Sequence, residues 1–214
     1  MSDASGLIRE PWWQFSRQRE AGKFGIWVFL ASEVLFFGAL MLTYAVCRIE
    51  HSAAFAAAGR ETNVWYGTIN TAVLLTSSLT MAVAAQSAAS RQPLRRLVLA
   101  CLLATALLGA AFMVIKGFEY KEDIDKHLVP GAQFALPQAG AQLFYGLYWL
   151  VTGVHAVHLS IGIALVCRLV LLGYRRKIQL GQNPQIEVTA LYWHLVDIVW
   201  IFLYPLIYLP GRSS

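Results

Sequence analysis

Five apolar stretches, each long enough to cross a lipid bilayer, dominate this sequence. A membrane-spanning helix needs about 20 consecutive apolar residues, because the hydrocarbon core of a bilayer is about 30 Å thick. Strand-like alternation of apolar and polar residues is absent, which excludes a transmembrane β-barrel. We therefore predict an all-helical integral membrane protein with five transmembrane helices, at Phe24–Cys47, Val64–Ala88, Leu97–Gly117, Ala141–Leu172 and Val188–Leu209.

Charged residues are too few to cover a soluble core of this size. Only 14% of the 214 residues are charged, compared with about 25% in a typical soluble domain. The net charge of +5 does not indicate nucleic-acid binding, because the basic residues lie between apolar runs and no aromatic stacking platform accompanies them. The three cysteines have no metal-binding spacing, so we predict no zinc or iron–sulfur site.

Lysine and arginine residues are distributed unevenly between the two sides of the predicted bundle. With the N-terminus in the cytoplasm and the C-terminus outside, most of them fall on the cytoplasmic side, as the positive-inside rule requires. We predict a polar cytoplasmic segment at residues 1–23, one membrane domain at residues 24–209 and a short outer tail at residues 210–214. Prolines interrupt the connection at residues 118–140, which predicts an ordered external arm or a docking surface for a partner.

Glu33 lies near the middle of the first predicted helix. A charge at membrane depth costs about 2.5–3.5 kcal/mol on insertion scales. An isolated carboxylate there would take up a proton or find a partner on another helix. Two interpretations remain open: a carboxyl group that assists proton supply, and a hydrogen-bonded acid that fixes helix packing.

Three histidines lie in the last two predicted helices. His155 and His158 share one face of the fourth helix with Thr152, and His194 precedes Asp197 by three residues in the fifth. These histidines could ligate haem, relay protons or link helices. We favour hydrogen bonds between helices, because no second histidine pair is available to face the first. We also predict that His194 and Asp197 form a hydrogen bond or an ion pair.

Other polar residues indicate packing or contact with lipid. Small and hydroxyl side chains near Asn70 predict close helix contact, and the same chemistry could hold lipid headgroups. Lys116 and Glu119, three residues apart, are interpreted as snorkelling interface charges, with a lipid-phosphate contact as the alternative. The sequence contains no nucleophile–base pair and no phosphate-binding loop, which favours a partner subunit over a self-sufficient enzyme. The candidate lipid-binding residues are Asn70, Trp65, Lys116, Glu119 and Trp200.

Five segments, in this order, resemble subunit III of the haem–copper oxidases. The resemblance spans nearly the whole chain after residue 20. Its most specific segments are WVFLASEVLFFGAL around Glu33, NTAVLLTSSLTMA from Asn70, GFEY from Gly117, TGVHAVHLSIG from Thr152 and LYWHLVDIVWIFLYPLIYL from Leu191.

The resemblance implies a non-redox subunit of a proton-pumping terminal oxidase, which reduces oxygen to water with electrons from cytochrome c. Haem and copper would belong to the partner chains, namely the catalytic subunit I and a copper-bearing or cytochrome-type subunit II; a respiratory supercomplex is a further implied partner. Subunit III of the family holds phospholipids in a cleft, supports proton uptake and protects the enzyme during turnover. The residues that match its polar positions are Glu33, Glu119, His155, His158, His194 and Asp197.

The mitochondrial form of this subunit has seven helices, whereas this chain begins at what resembles the third. The five-helix form resembles subunits of bacterial cytochrome c oxidases, quinol oxidases and relatives associated with nitric oxide reductase, which implies the bacterial inner membrane. The ending LYWHLVDIVWIFLYPLIYL resembles the cytochrome c branch more than the quinol branch. Outside this family, the alternatives are a b-type cytochrome ligated by His155, His158 and His194, and a small transporter that uses Glu33.

Overall fold

A computed structural model describes residues 15–212, apart from residues 91, 139, 179, 182 and 211, with side chains from residue 24 onward. Five of the six helices in this part of the chain are long and apolar enough to span a membrane, and α2 is the short exception. The prediction of an all-helical protein with five transmembrane helices is confirmed. The helices are α1 (Phe15–Glu50), α2 (Ser52–Glu61), α3 (Val64–Ala89), α4 (Arg95–Asp125), α5 (Ala141–Tyr174) and α6 (Pro184–Tyr208).

Several helix boundaries differ from the predicted ones, and one helix was not predicted. Helix α1 begins at Phe15, so the helix already includes the end of the predicted polar segment, whose residues 1–14 lie outside the described chain. Helix α2 was not predicted, because its ten residues form an alanine-rich helix with no long apolar run. The prediction that the third spanning helix ends at Gly117 was wrong, because α4 continues to Asp125 with one polar face buried in the bundle.

The C-terminal end of α4 is closed by a left-handed residue. His127 adopts a φ of 55°, and the backbone N–H of Leu128 donates a hydrogen bond to the carbonyl oxygen of Asp123 at 2.9 Å. This geometry satisfies carbonyl groups that the helix itself leaves without a partner. The following arm packs on α5, with the ring of Phe134 5.7 Å from that of Tyr145, as expected for an ordered arm.

One end of the bundle, which we call the α2 end, contains helix α2, the arm at residues 126–140 and Arg212. Arg212 donates hydrogen bonds to the carbonyl oxygens of Thr62 and Arg60 at the C-terminal end of α2. Helix α1 lies at the edge of the bundle, and large apolar side chains such as Leu35 are exposed on its outer face. The buried centre is therefore built mainly by α3, α4, α5 and α6.

Two glycines allow α6 to approach its neighbours closely. The indole ring of Trp193 lies between Gly109 on α4 and Gly162 on α5. A Cβ atom at Gly109 would lie 2.7 Å from the Cη2 atom of Trp193, and one at Gly162 would lie 3.2 Å from its Cε3 atom. Small residues thus create the space for the largest buried side chain, as is typical of contacts between membrane helices.

Candidate functional site

Glu33 has a partner on another helix. Its Oε2 atom lies 3.0 Å from the Nε2 atom of His158 on α5. The two atoms are close enough for an ion pair, but their angle of approach is not that of a hydrogen bond. The other ring nitrogen of His158 lies 2.9 Å from the carbonyl oxygen of Val154, so that nitrogen carries a proton and donates it. Both side chains remain partly exposed, His158 at 18% and Glu33 at 15%. The pair is therefore reachable from the bundle surface.

His155 is one turn from His158 but lies in a different environment. It is 1% exposed, and neither of its ring nitrogens has a hydrogen-bond partner among the described residues. Its ring lies 5.1 Å from that of Trp200 and 5.8 Å from that of Phe112. Aromatic side chains of α4 and α6 thus pack against this imidazole.

The predicted pairing of His194 with Asp197 was wrong. The Nδ1 atom of His194 lies 2.8 Å from the hydroxyl oxygen of Ser78 on α3, which links α6 to α3. Asp197 is 3% exposed, and neither of its carboxyl oxygens has a hydrogen-bond partner in the described part of the chain. Ser78 is also a neighbour of the Asp197 carboxyl group. A helical separation of three residues permitted a direct contact, but the serine of the adjacent helix takes its place.

The most extensive polar cluster of the described chain surrounds Lys116 inside the bundle. The Nζ atom of Lys116 lies 3.0 Å from the Oε2 atom of Glu119, 3.0 Å from the hydroxyl oxygen of Tyr148 and 2.7 Å from that of Tyr208. Lys116 and Glu119 are each only 2% exposed. The interpretation as snorkelling interface charges was therefore wrong, because protein side chains enclose both charged groups.

Two tyrosines and a second acid complete this group. The hydroxyl oxygen of Tyr148 lies 2.9 Å from the Oε1 atom of Glu119 and 2.8 Å from the Oδ2 atom of Asp123. The hydroxyl group of Tyr208 lies 2.7 Å from the same Oε1 atom. We call this group the Lys116 cluster; it consists of Lys116, Glu119, Asp123, Tyr148 and Tyr208.

An exposed ion pair at the end of α4 contrasts with the buried cluster. The Nζ atom of Lys126 lies 2.7 Å from the Oε1 atom of Glu122, and the two side chains are 47% and 35% exposed. The hydrogen bond that Lys126 donates to Glu122 raises the pKa of Lys126 above its ordinary value. Exposed pairs of this kind add little stability, whereas removal of one partner from a buried pair is strongly destabilising.

Sequence reasoning missed Asp123, Tyr148 and Tyr208 as members of a site. The signal was present in α4, where positions 116, 119, 120 and 123 share one helical face and the residues between them are mostly exposed. The predicted helix end at Gly117 concealed this periodicity. The two tyrosines come from other helices, and their convergence depends on tertiary packing alone.

The five candidate lipid-binding residues lie in different environments. Trp65, at the start of α3, is 77% exposed and lies on the bundle surface. Asn70 is fully buried, and neither its amide oxygen nor its amide nitrogen has a hydrogen-bond partner. Trp200 is 1% exposed, and its indole N–H donates to the hydroxyl oxygen of Thr71 at 3.1 Å. Only Trp65 among the five therefore faces outward from this chain, since Lys116 and Glu119 lie in the buried cluster.

Hydroxyl side chains of α3 form the predicted contacts between helices. The hydroxyl groups of Thr80 and Thr105 lie 2.7 Å apart and join α3 to α4. The indole N–H of Trp193 on α6 donates to the hydroxyl oxygen of Ser77 at 3.2 Å. Within the described residues, no group of three or more His, Cys, Asp or Glu side chains is arranged to hold a metal ion.

Comparison with known proteins identifies this helical arrangement. The family model of cytochrome c oxidase subunit III matches residues 15–212, which include all five spanning helices and both polar sites. This chain belongs to the cytochrome c oxidase subunit III family. The resemblance inferred from the five sequence segments is thereby confirmed. Subunit III lacks redox centres, so the polar groups described above act without a haem or copper ion bound to this chain.

Similar proteins from staphylococci support the same assignment. A protein named probable quinol oxidase subunit 3 from Staphylococcus saprophyticus is 29% identical over 206 residues, which cover 92% of this chain and 93% of the relative. Proteins of the same name from Staphylococcus haemolyticus and Staphylococcus aureus are 26% and 29% identical, and each match covers 92% of both chains. The family thus includes components of haem–copper oxidases whose names indicate a quinol as the electron donor.

Proposed function

We propose that this chain is the non-redox subunit III of a proton-pumping haem–copper terminal oxidase in a bacterial inner membrane. The observation that carries the proposal is the family match over residues 15–212, because it extends through every described helix. In this role the chain packs beside the catalytic haem–copper subunit I and near subunit II, stabilises the catalytic subunit and supports proton uptake. The N-terminus lies in the cytoplasm and the C-terminus outside, as the distribution of basic residues favours.

The Glu33–His158 pair supports the role in proton supply. A carboxyl group and an imidazole 3.0 Å apart can exchange one proton between them, and both are partly exposed at the bundle surface. Ionisable groups retained at membrane depth mark proton relays in many membrane proteins. The pair therefore offers a proton to a partner subunit that packs on this part of the bundle.

Bound phospholipid is the second part of the proposed role. Trp65 is exposed at the N-terminal end of α3, beside the α2 end of the bundle, where an indole ring suits the boundary between lipid and water. The outer face of α1 carries further exposed apolar side chains, including Phe24 and Trp27. These surfaces support annular phospholipid around the subunit.

Two electron donors are proposed. The first proposal is cytochrome c, because the α6 segment LYWHLVDIVWIFLYPLIYL resembles the cytochrome c branch of the family. The second proposal is quinol, and it fits the comparisons better, because the staphylococcal relatives are named as quinol oxidase subunits. The two are separated by an oxygen-consumption assay of the purified oxidase with reduced cytochrome c and with a reduced quinol. Turnover with cytochrome c alone supports the first proposal, and turnover with quinol alone replaces it with the second.

The role of Glu33 in proton supply is tested with Glu33→Gln in the assembled oxidase. The variant removes the proton-exchanging carboxyl group with little change in size, so we expect intact assembly with lower turnover or a shorter turnover lifetime. Glu50→Gln is the matched control, because Glu50 lies on the same helix at its exposed end. If turnover and lifetime both remain at the wild-type level, Glu33 has only a packing role.

A further inference from the structure

The protons available in the Lys116 cluster can be counted from its contacts. A lysine ammonium has three N–H donors, and those of Lys116 are directed to Glu119, Tyr148 and Tyr208 at 2.7–3.0 Å. The hydroxyl group of Tyr208 accepts one of these hydrogen bonds, and donates its own proton to the Oε1 atom of Glu119. This half of the cluster is complete, with every donor matched by one acceptor.

Tyr148 contacts more carboxyl oxygens than it has protons to donate. Its hydroxyl oxygen lies within 2.9 Å of a carboxyl oxygen of Glu119 and within 2.8 Å of one of Asp123. A tyrosine hydroxyl has one proton to donate, and an ionised carboxylate can only accept. If both acids were ionised, one of these short contacts would join two oxygen atoms without a proton between them. The cluster therefore needs one proton more than Lys116 and the two tyrosines supply.

The position of the extra proton follows from the charges. Lys116 contacts Glu119 directly and balances its negative charge, whereas Asp123 contacts no cation among the described side chains and is 6% exposed. The nearby cation of Lys126 is engaged by Glu122. An ionised carboxylate buried without a cation is costly, and protonation removes that cost.

We propose that the Lys116 cluster is a proton-binding site, in which Asp123 holds a proton as a neutral carboxylic acid and donates a hydrogen bond to Tyr148. Tyr148 then accepts from Asp123 and from Lys116 and donates to Glu119, so every short contact contains one proton. The cluster as a whole is electrically neutral, with one ammonium group and one carboxylate.

Other titratable groups near Asp123 are compatible with this assignment. Within the part of the chain that the structure describes, none of these neighbours is a cation in contact with the carboxyl group. Glu122, an acid outside the cluster, would itself oppose ionisation of Asp123. These neighbours are Tyr120 and Glu122 on α4, Lys126 next to α4, Tyr145 on α5 and, farther off beside Tyr145, Glu61 on α2.

The site has a short route to water. Asp123 is two residues from the end of α4, and the neighbouring Asp125 is exposed. A proton can therefore leave the Asp123 carboxyl group towards the aqueous boundary at the α2 end, as a hydronium ion, and return by the same route. Glu33 and His158 belong to a different part of the bundle, so this second proton site is independent of the role proposed for that pair.

Infrared spectroscopy of the purified oxidase that contains this chain tests the proposal. A protonated carboxyl group has a C=O stretching band that is absent from the spectrum of a carboxylate and shifts in heavy water. We expect Asp123→Asn to remove one such band at neutral pH and Asp125→Asn, an exposed control two residues along the chain, to leave it unchanged. Retention of the band in Asp123→Asn with its loss in Glu119→Gln would place the proton on Glu119 and overturn the proposal.

A second measurement needs no substitution in the cluster. Labelling the aspartate side chains of the otherwise unchanged chain with carbon-13 shifts the C=O band of a protonated aspartate but not that of a glutamate. Asp197 is the other buried aspartate of the described chain, and Asp197→Asn in the labelled protein removes its contribution. A label-shifted band that persists in Asp197→Asn supports the proposal, and its absence shows that Asp123 is ionised and overturns the proposal.

Discussion

The Nε2 atom of His158 on α5 lies 3.0 Å from the Oε2 atom of Glu33 on α1. Helix α1 packs at the edge of the bundle, mainly against α5 and α6. This contact is therefore a polar link between α1 and the centre of the subunit. The aromatic ring of Phe37, one turn along α1, packs edge-to-face on the same imidazole at 5.2 Å.

The coupling between Glu33 and His158 predicts non-additive effects on stability. We expect Glu33→Gln and His158→Gln to lower the midpoint of thermal unfolding individually, and the double variant to lose less than their sum. Pairs in direct contact typically show interaction energies of about 1 kcal/mol, within a range of about 0.5–3 kcal/mol. Thermal unfolding of the detergent-solubilised complex, measured for the wild type, the two single variants and the double variant, gives this interaction energy. Fully additive losses would contradict an energetic link between the two residues.

Removal of the Lys116 charge should destabilise the subunit strongly. Lys116→Met leaves Glu119 buried without its cation, and the loss of one partner from a buried pair typically costs about 3–5 kcal/mol. The double variant Lys116→Met, Glu119→Gln should recover part of this loss, because it removes the uncompensated charge. Thermal unfolding in detergent measures all three proteins.

The matched control is Lys126→Met, in the exposed pair with Glu122. Its expected cost is about 0–1 kcal/mol, because solvent screens such pairs. Equal losses for Lys116→Met and Lys126→Met would show that the buried cluster makes no special contribution to stability.

The close approach of α4 to α6 predicts a position-specific effect of an added methyl group. At Gly109 a Cβ atom would meet the indole ring of Trp193 at 2.7 Å, so Gly109→Ala should cost about 1–3 kcal/mol through overpacking. Gly117, on the same helix, has no atom within 4 Å of the corresponding position, and Gly117→Ala should leave stability unchanged or slightly raise it. Indistinguishable unfolding midpoints for these two variants would contradict the packing described for Trp193.

The hydrogen bond between His194 and Ser78 predicts a fourth effect on stability. His194→Ala and Ser78→Ala should each cost about 1 kcal/mol, because each removes the same link between α6 and α3. The double variant should cost little more than either single one. Ser160→Ala is the control, since that exposed hydroxyl donates only to a carbonyl oxygen of its own helix. Additive losses in the double variant would argue against the link.

Hydropathy was sufficient to predict the five spanning helices, because the membrane requires long apolar segments whatever the packing between them. The same reasoning ended the third helix at Gly117, although α4 continues to Asp125. Average hydropathy falls after Gly117, but the helix continues because one of its faces, which carries Lys116, Glu119 and Asp123, is buried in the bundle. A prediction from periodicity, rather than from mean hydropathy, would have extended the helix.

The partners of the membrane polar residues were less predictable. Sequence reasoning left two outcomes open for Glu33, a carboxyl group that takes up a proton or one with a partner on another helix. The structure places His158 of α5 beside it. For His194 the nearest polar residue in sequence, Asp197, was the wrong choice, because Ser78 of α3 lies closer in the folded bundle. Which side chains meet depends on the rotation of each helix about its axis, and small contacts such as Trp193 against Gly109 set that rotation.

The central claim, that this chain is the non-redox subunit III of a haem–copper oxidase, is tested most directly by purification of the tagged chain from membranes in mild detergent. Mass spectrometry identifies the chains that co-purify, and a reduced-minus-oxidised spectrum detects haem. We predict stoichiometric partner chains that carry haem and copper, and no haem on this chain once it is separated from them. Haem retained by the isolated chain, or purification without any haem–copper partner, would contradict the claim.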